Sequence, residues 1–191
     1  MPKIRVVHEL KRRSVRLPGY DYSAPRLYFV TTCIEGRLNL LGQVRDSRMN
    51  PSTGGEIATR ALAELPLRYS TVRVDRFAIM PNHVHAVFEV LPQDGMCTTL
   101  ARIVQSFKAT TGKRYRECVT NGLCSPYRGT LWQRNYFEHV IRDSGELEMI
   151  RDYIVRNPVR WELDRENPQR TAIDPFDAWL DSLGDQGSGK S

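Results

Sequence analysis

Two apolar runs that alternate residue by residue, Val72 to Met80 and His83 to Leu91, flank the dipeptide Pro81-Asn82. No other stretch constrains the fold as much, because alternation is the period of a strand and Pro-Asn is turn chemistry. A β-hairpin is therefore predicted. Upstream, Leu27 to Ile34 is rich in β-branched and aromatic residues and stops before Gly36, which predicts a first strand. Gly54 to Tyr69 carries Ile57, Ala58, Ala61, Leu62 and Leu65 at helical spacing, a helix expected to end or bend at Pro66.

Downstream, Thr98 to about Cys118 places Leu100, Ile103, Val104 and Phe107 on one face and mostly basic residues elsewhere, the pattern of a long amphipathic helix broken at Asn121-Gly122. Leu131 through Ile141 reads as a fourth strand, and Asp143 opens another helix with Glu146 three residues on, as in a capping box. The order β-α-β-β-α-β-α predicts an α+β fold. Its plan is the ferredoxin-like split βαβ, an antiparallel sheet with helices on one face and one additional C-terminal helix. Residues 1–25 form a basic arm, 26–163 the domain, and 164–191, with Pro168, Pro175 and a Gly/Ser-rich end, an irregular and loosely held tail.

The chain of 191 residues carries a net charge of +6, with a pI near 9.3, so a polyanion, nucleic acid first, is the expected partner. No apolar run approaches the roughly 20 residues of a membrane span, and the basic N-terminus lacks the features of a signal peptide. A cytoplasmic protein is expected. Cys33, Cys97, Cys118 and Cys124 form no C-x-x-C pair and read as reduced thiols. Gly184 to Ser191 matches the pattern of a phosphate-binding P-loop, but a working loop opens a helix and here the sequence stops, so no nucleotide site is expected.

Alternate residues of a strand share a face, so His83 and His85 stand side by side, roughly 6.5 Å apart at the backbone, close enough to converge on one ion. Two hydrogen-bonded histidines inside a hairpin would give the same pattern. In the last helix Leu147, Ile150 and Ile154 form the buried stripe, while Tyr153 and Asn157 lie one turn apart on a neighbouring face near Pro158. Taken alone, that arrangement is accounted for by Tyr153 packing on the sheet and Asn157 capping the helix.

The segments Pro81-Asn82-His83-Val84-His85, Leu131 to Asp143 and Tyr153-Ile154-Val155-Arg156-Asn157-Pro158-Val159 together resemble the REP-associated tyrosine transposases, within the wider histidine-hydrophobe-histidine nucleases. The resemblance implies that His83 and His85 bind a divalent metal, that Asn157 completes the site, and that Tyr153 is the nucleophile. It implies cleavage of single-stranded DNA near hairpin-forming repeats through a 5′-phosphotyrosine, with rejoining by the reverse step. A phenol of ordinary pKa near 10 is a weak nucleophile at neutral pH, so the phosphate must be made the better electrophile, which a metal does. Two imidazoles and an amide oxygen suit Mn²⁺ well and Mg²⁺ moderately.

His139 is a candidate proton carrier and Glu89, on the strand face of the histidines, a rival third ligand. Arg12, Arg13, Lys108 and Arg114 are candidate phosphate contacts, and Trp132 a candidate stacking platform for bases. The resemblance favours a monomer, with a dimer also open. A non-cutting DNA-binding regulator that keeps the transposase fold is the alternative function.

Overall fold

The computed structural model describes residues 26–91 and 98–185. A strand, β1 (Arg26–Cys33), leads through a 3-10 turn at Glu35–Arg37 into a short hairpin of β2 (Gly42–Arg45) and β3 (Arg48–Pro51). Helix α1 (Thr53–Arg68) is followed by the paired strands β4 (Val72–Ile79) and β5 (His83–Val90). Then come α2 (Leu100–Thr120), β6 (Phe137–Ile141), α3 (Ser144–Arg156), a 3-10 turn at Asn157–Arg160, and α4 (Pro175–Asp185).

The main sheet has the order β4-β5-β1-β6, with every neighbouring pair antiparallel, the split βαβ arrangement. Strand alternation sorts its residues between two cores. Tyr28, Val30, Val84, Ala86 and Phe88 face α1 and α2, whereas Phe29 and Val87 face the other way and meet Ile150, Tyr153 and Ile154 of α3 with Phe176 and Leu180 of α4. The first two helices thus share one face, and the C-terminal helices cover the opposite one.

Three local outcomes differ from the sequence reading. Pro66 does not end α1, which runs on to Arg68; the buried Leu62 and Leu65 hold the turn against the sheet across the missing hydrogen bond. The fourth strand begins at Phe137 rather than Leu131, leaving a lone bridge between Ile34 and Trp132. The cause lies in α2: the Lys108 ammonium donates to the carbonyls of Gln133, Arg134 and Asn135 at 2.8, 3.4 and 3.0 Å, gathering that stretch into a loop. The small β2–β3 hairpin has four-residue strands and a turn at Asp46 and Ser47, both with positive φ.

The largest difference is at the C-terminus. Of the expected irregular tail, residues 164–185 form a packed segment that ends in α4, with Asp164, Asp174, Phe176, Asp177 and Leu180 all buried. Its apolar residues complete the second core, which α3 alone leaves half covered. Cys118 and Cys124, read as thiols, form a disulfide that closes the end of α2 against the following turn, while Cys33 is a buried free thiol. Among the described residues no helix is long and apolar enough to cross a membrane. The proposed P-loop match lies outside the described residues except at its first two positions.

Candidate active site

Strand β5 turns His83, His85 and Val87 to the α3 side of the sheet, and both imidazoles are buried. Their Nε2 atoms stand 2.9 Å apart. The Asn82 amide nitrogen donates to the carbonyls of Glu166 at 2.8 Å and Arg37 at 3.3 Å, so its oxygen is left to accept from His83 Nδ1 at 2.8 Å. That pins the proton of His83 on Nδ1 and leaves Nε2 a bare lone pair aimed at its neighbour. His85 Nδ1 meets the Thr31 hydroxyl at 2.8 Å from the paired position of β1. Burial lowers His83 to about 4, so it is neutral at ordinary pH.

Helix α3 delivers the next two groups. The Asp143 carboxylate caps it by accepting from the Glu146 N–H at 2.9 Å; Glu146 in turn accepts from the Arg142 N–H, one residue short of the reciprocal bond of a capping box. Two turns on, the Tyr153 hydroxyl lies 3.4 Å from His85 Nε2, and its ring stands edge-on to those of His85 and Phe29. Burial, with Asp164, Asp177 and Asp174 nearby, raises this phenol well above its ordinary value. Asn157, at the end of α3, is fully buried and neither its amide nitrogen nor its oxygen has a protein partner.

The chain beyond α3 closes the cluster. Asp164 Oδ2 lies 3.5 Å from His83 Nε2 and 3.8 Å from His85 Nε2, while Oδ1 accepts from the Glu166 N–H at 2.7 Å. Burial works against the Asp164 charge, but the histidines and that N–H outweigh it and hold the carboxyl below the usual range. Trp161 stacks beside His83, and Phe176 lies face to face with Tyr153 at 3.7 Å. Arg165 ties the segment to α4 through Asp177 at 3.1 Å and Asp181 at 2.7 Å, and burial pushes Asp177 up to about 6. Tyr153 is left 2% exposed.

The two histidines and Asp164 place three donor atoms within 4.8 Å of one another in a buried setting, a set that fits a divalent metal ion. Two bare or shared Nε2 lone pairs at 2.9 Å, a carboxylate oxygen without a hydrogen bond and the unpartnered amide oxygen of Asn157 are all groups a cation would satisfy.

Residues 56–157 match the family model described as "Transposase IS200 like". This chain belongs to the IS200-like transposase family. An uncharacterized protein of Haemophilus influenzae is 33% identical over 174 residues, covering 81% of this chain and 92% of that protein. A second protein of that organism, described as a putative REP-associated tyrosine transposase, is 34% identical over 85 residues, 43% of this chain and 47% of that one. A solved structure of a REP-associated tyrosine transposase bound to a REP hairpin superposes with a TM-score of 0.52 at 21% identity, over 74% of this chain and 72% of that chain, a likeness of fold.

Within this IS200-like transposase, the other residues singled out in the sequence fall elsewhere. Glu89 sits at the far end of β5, paired with Arg73 at 3.6 Å, and the acid beside the histidines is instead Asp164. His139 does not reach the cluster as a proton carrier; it meets Glu146 at 3.2 Å at the start of α3. Trp132, the candidate stacking platform, is buried and its indole N–H donates to Thr111 at 2.6 Å. Lys108 holds backbone carbonyls, and Arg114 makes a two-pronged pair with Glu64 at 2.8 Å. Arg12 and Arg13 lie outside the described residues. Asp164, Glu166 and Phe176 escaped the sequence reading because they follow an irregular turn where no periodicity assigns a side chain to a face.

Proposed function

We propose that this IS200-like transposase is a metal-dependent single-stranded DNA endonuclease and strand transferase acting through a covalent link between Tyr153 and a 5′-phosphate. The observation that carries the reading is the approach of the Tyr153 hydroxyl to 3.4 Å from His85 Nε2, within the same buried cluster as His83 and Asp164. Of the described tyrosines, Tyr153 is the one set against the imidazole pair.

In the proposed reaction Tyr153 Oη attacks the phosphorus, the bond from phosphorus to the 3′-oxygen breaks, the phenolic proton leaves, and the 3′-oxygen takes up a proton. One phosphodiester replaces another, so no nucleotide is consumed and the reverse step rejoins strands. His83 and His85, with Asp164 or Asn157 as the oxygen donor, would hold Mn²⁺ or Mg²⁺. Such an ion, when bound, draws charge from a non-bridging phosphate oxygen as a Lewis acid. Asn82 keeps His83 in the tautomer that presents its lone pair, and Phe29 and Phe176 hold the Tyr153 ring on either side. The apolar walls exclude water that would compete with the phenol.

The likeness to a hairpin-bound transposase supports hairpin-bearing DNA as the substrate and agrees with the net positive charge. A second reading, a non-cutting DNA binder, is favoured by one observation, the sealing of Tyr153 behind Phe176. A labelled single strand carrying a hairpin, incubated with Mn²⁺, separates the two. Wild type is expected to cut, and the double variant His83→Ala/His85→Ala to bind the strand without cutting. Binding without cutting by wild type would favour the second reading.

A further inference from the structure

Across the sheet from the tyrosine, α2 and the loop of residues 127–136 enclose a groove of about 750 Å³, within the span of about 300–1,000 Å³ typical of ligand sites. Its lining holds four basic side chains, Lys108, Lys113, Arg116 and Arg134, and no acid. Lys108 belongs to the wall, tying the loop to the helix and standing over the Tyr136 ring at 5.4 Å. Lys113, Arg116 and Arg134 are exposed on the rim and have no ion pair among the described residues.

The floor is apolar and close to the helix backbone. At Gly112, inside α2, an added Cβ would meet nothing within 4 Å, so the glycine is not there to make room for packing. Its cost within a helix is understandable where another molecule lies against the backbone. Tyr127 stands on the loop side, edge-on to Tyr115 and thereby fixed in place.

We propose that this groove is a second, non-catalytic site that takes a short run of unpaired nucleotides of the DNA substrate, bases on the apolar floor and against the tyrosines, phosphates along the Lys113, Arg116 and Arg134 rim. The proposal rests on the reading of the protein as a DNA-processing enzyme. An apolar floor beneath a wholly basic rim complements a strand whose bases are free to turn inward. A duplex, with its bases stacked inside, has nothing to offer the floor. An acidic peptide would use the rim and leave the aromatics idle.

Fluorescence anisotropy with labelled (dT)20 tests this, using a 20-base-pair duplex and polyglutamate as competitors. Gly112→Trp fills the groove from open space and is expected to weaken (dT)20 binding about tenfold while duplex binding stays as in wild type. The variant Lys113→Gln/Arg116→Gln/Arg134→Gln is expected to lower the salt slope by about 0.7 for each phosphate contact removed. Should the tryptophan variant misfold, a bromodeoxyuridine strand crosslinked to wild type is expected to mark Tyr127 or Tyr136. Wild-type affinity in both variants, a crosslink mapping elsewhere, or equal displacement by polyglutamate overturns the groove. If the Tyr153 adduct forms all the same, the catalytic reading stands without it; wild type that binds no strand at all overturns both.

Discussion

Because both hydrogens of the Asn82 amide are committed to backbone carbonyls, its oxygen has no choice but to accept from His83, and a residue that never touches substrate sets which nitrogen faces the donor cluster. Asn82→Ala is expected to weaken Mn²⁺ binding about 10- to 100-fold, read by electron paramagnetic resonance of the free ion at a temperature where the variant is folded. Unchanged affinity would show that the tautomer is fixed in another way. At this scale strand and helix periods assigned faces to His83, His85, Tyr153 and Asn157, and the resemblance singled them out. Asp164 was not legible, since a single acid after a 3-10 turn has no period to read, and neither was the seat of Lys108, whose spacing looks the same whether its ammonium meets solvent or three carbonyls.

Among the elements, α3 carries Tyr153, the proposed nucleophile, and is fixed to the edge strand β4 by one bidentate pair. Arg151 donates to both Asp75 oxygens, at 2.8 and 2.6 Å, and Asp75 reaches it because a bulge between Val74 and Arg76 interrupts the register of β4. The hydrogen bonds from Arg151 lower the Asp75 carboxyl below its ordinary value, outweighing its partial burial. A carboxyl depressed in the folded state adds stability above its unfolded pKa, near 4, and loses it as pH falls through the folded value. Asp75→Asn is therefore expected to cost about 1 kcal/mol at pH 7, for a pair partly open to water, and less at pH 3. Thermal melts at the two pH values check this; an equal loss at both would place the effect in packing. The element order, and with it the split βαβ plan, was legible from the hydrophobic pattern, whereas the bulge and the four-residue strands β2 and β3 were not, being too short to show alternation.

For the molecule as a whole, the C-terminal segment is both the second core and the cover of the tyrosine. Phe176 stacks on Tyr153, Asp164 stands between the imidazoles and the segment that follows, and Arg165 ties that segment to α4. With Tyr153 2% exposed beneath Phe176, the proposed reaction requires this segment to shift before a phosphate reaches the phenol, and the rate of adduct formation is then expected to depend on how tightly the cover holds. Phe176→Ala is expected to destabilise the fold by about 3 kcal/mol and yet to form adduct faster per folded molecule. Slower adduct formation would assign Phe176 to holding the tyrosine in position for attack.

The central claim concerns one oxygen atom. Incubation of the protein with Mn²⁺ and a 3′-labelled single strand is expected to yield label that migrates with the protein on denaturing gels, and peptide mapping to place the phosphate on Tyr153. Tyr153→Phe keeps the ring that packs against Phe29 and Phe176, so its melting should barely change while the adduct vanishes. An adduct that persists in the phenylalanine variant, or a phosphate mapped to another tyrosine, would contradict the account.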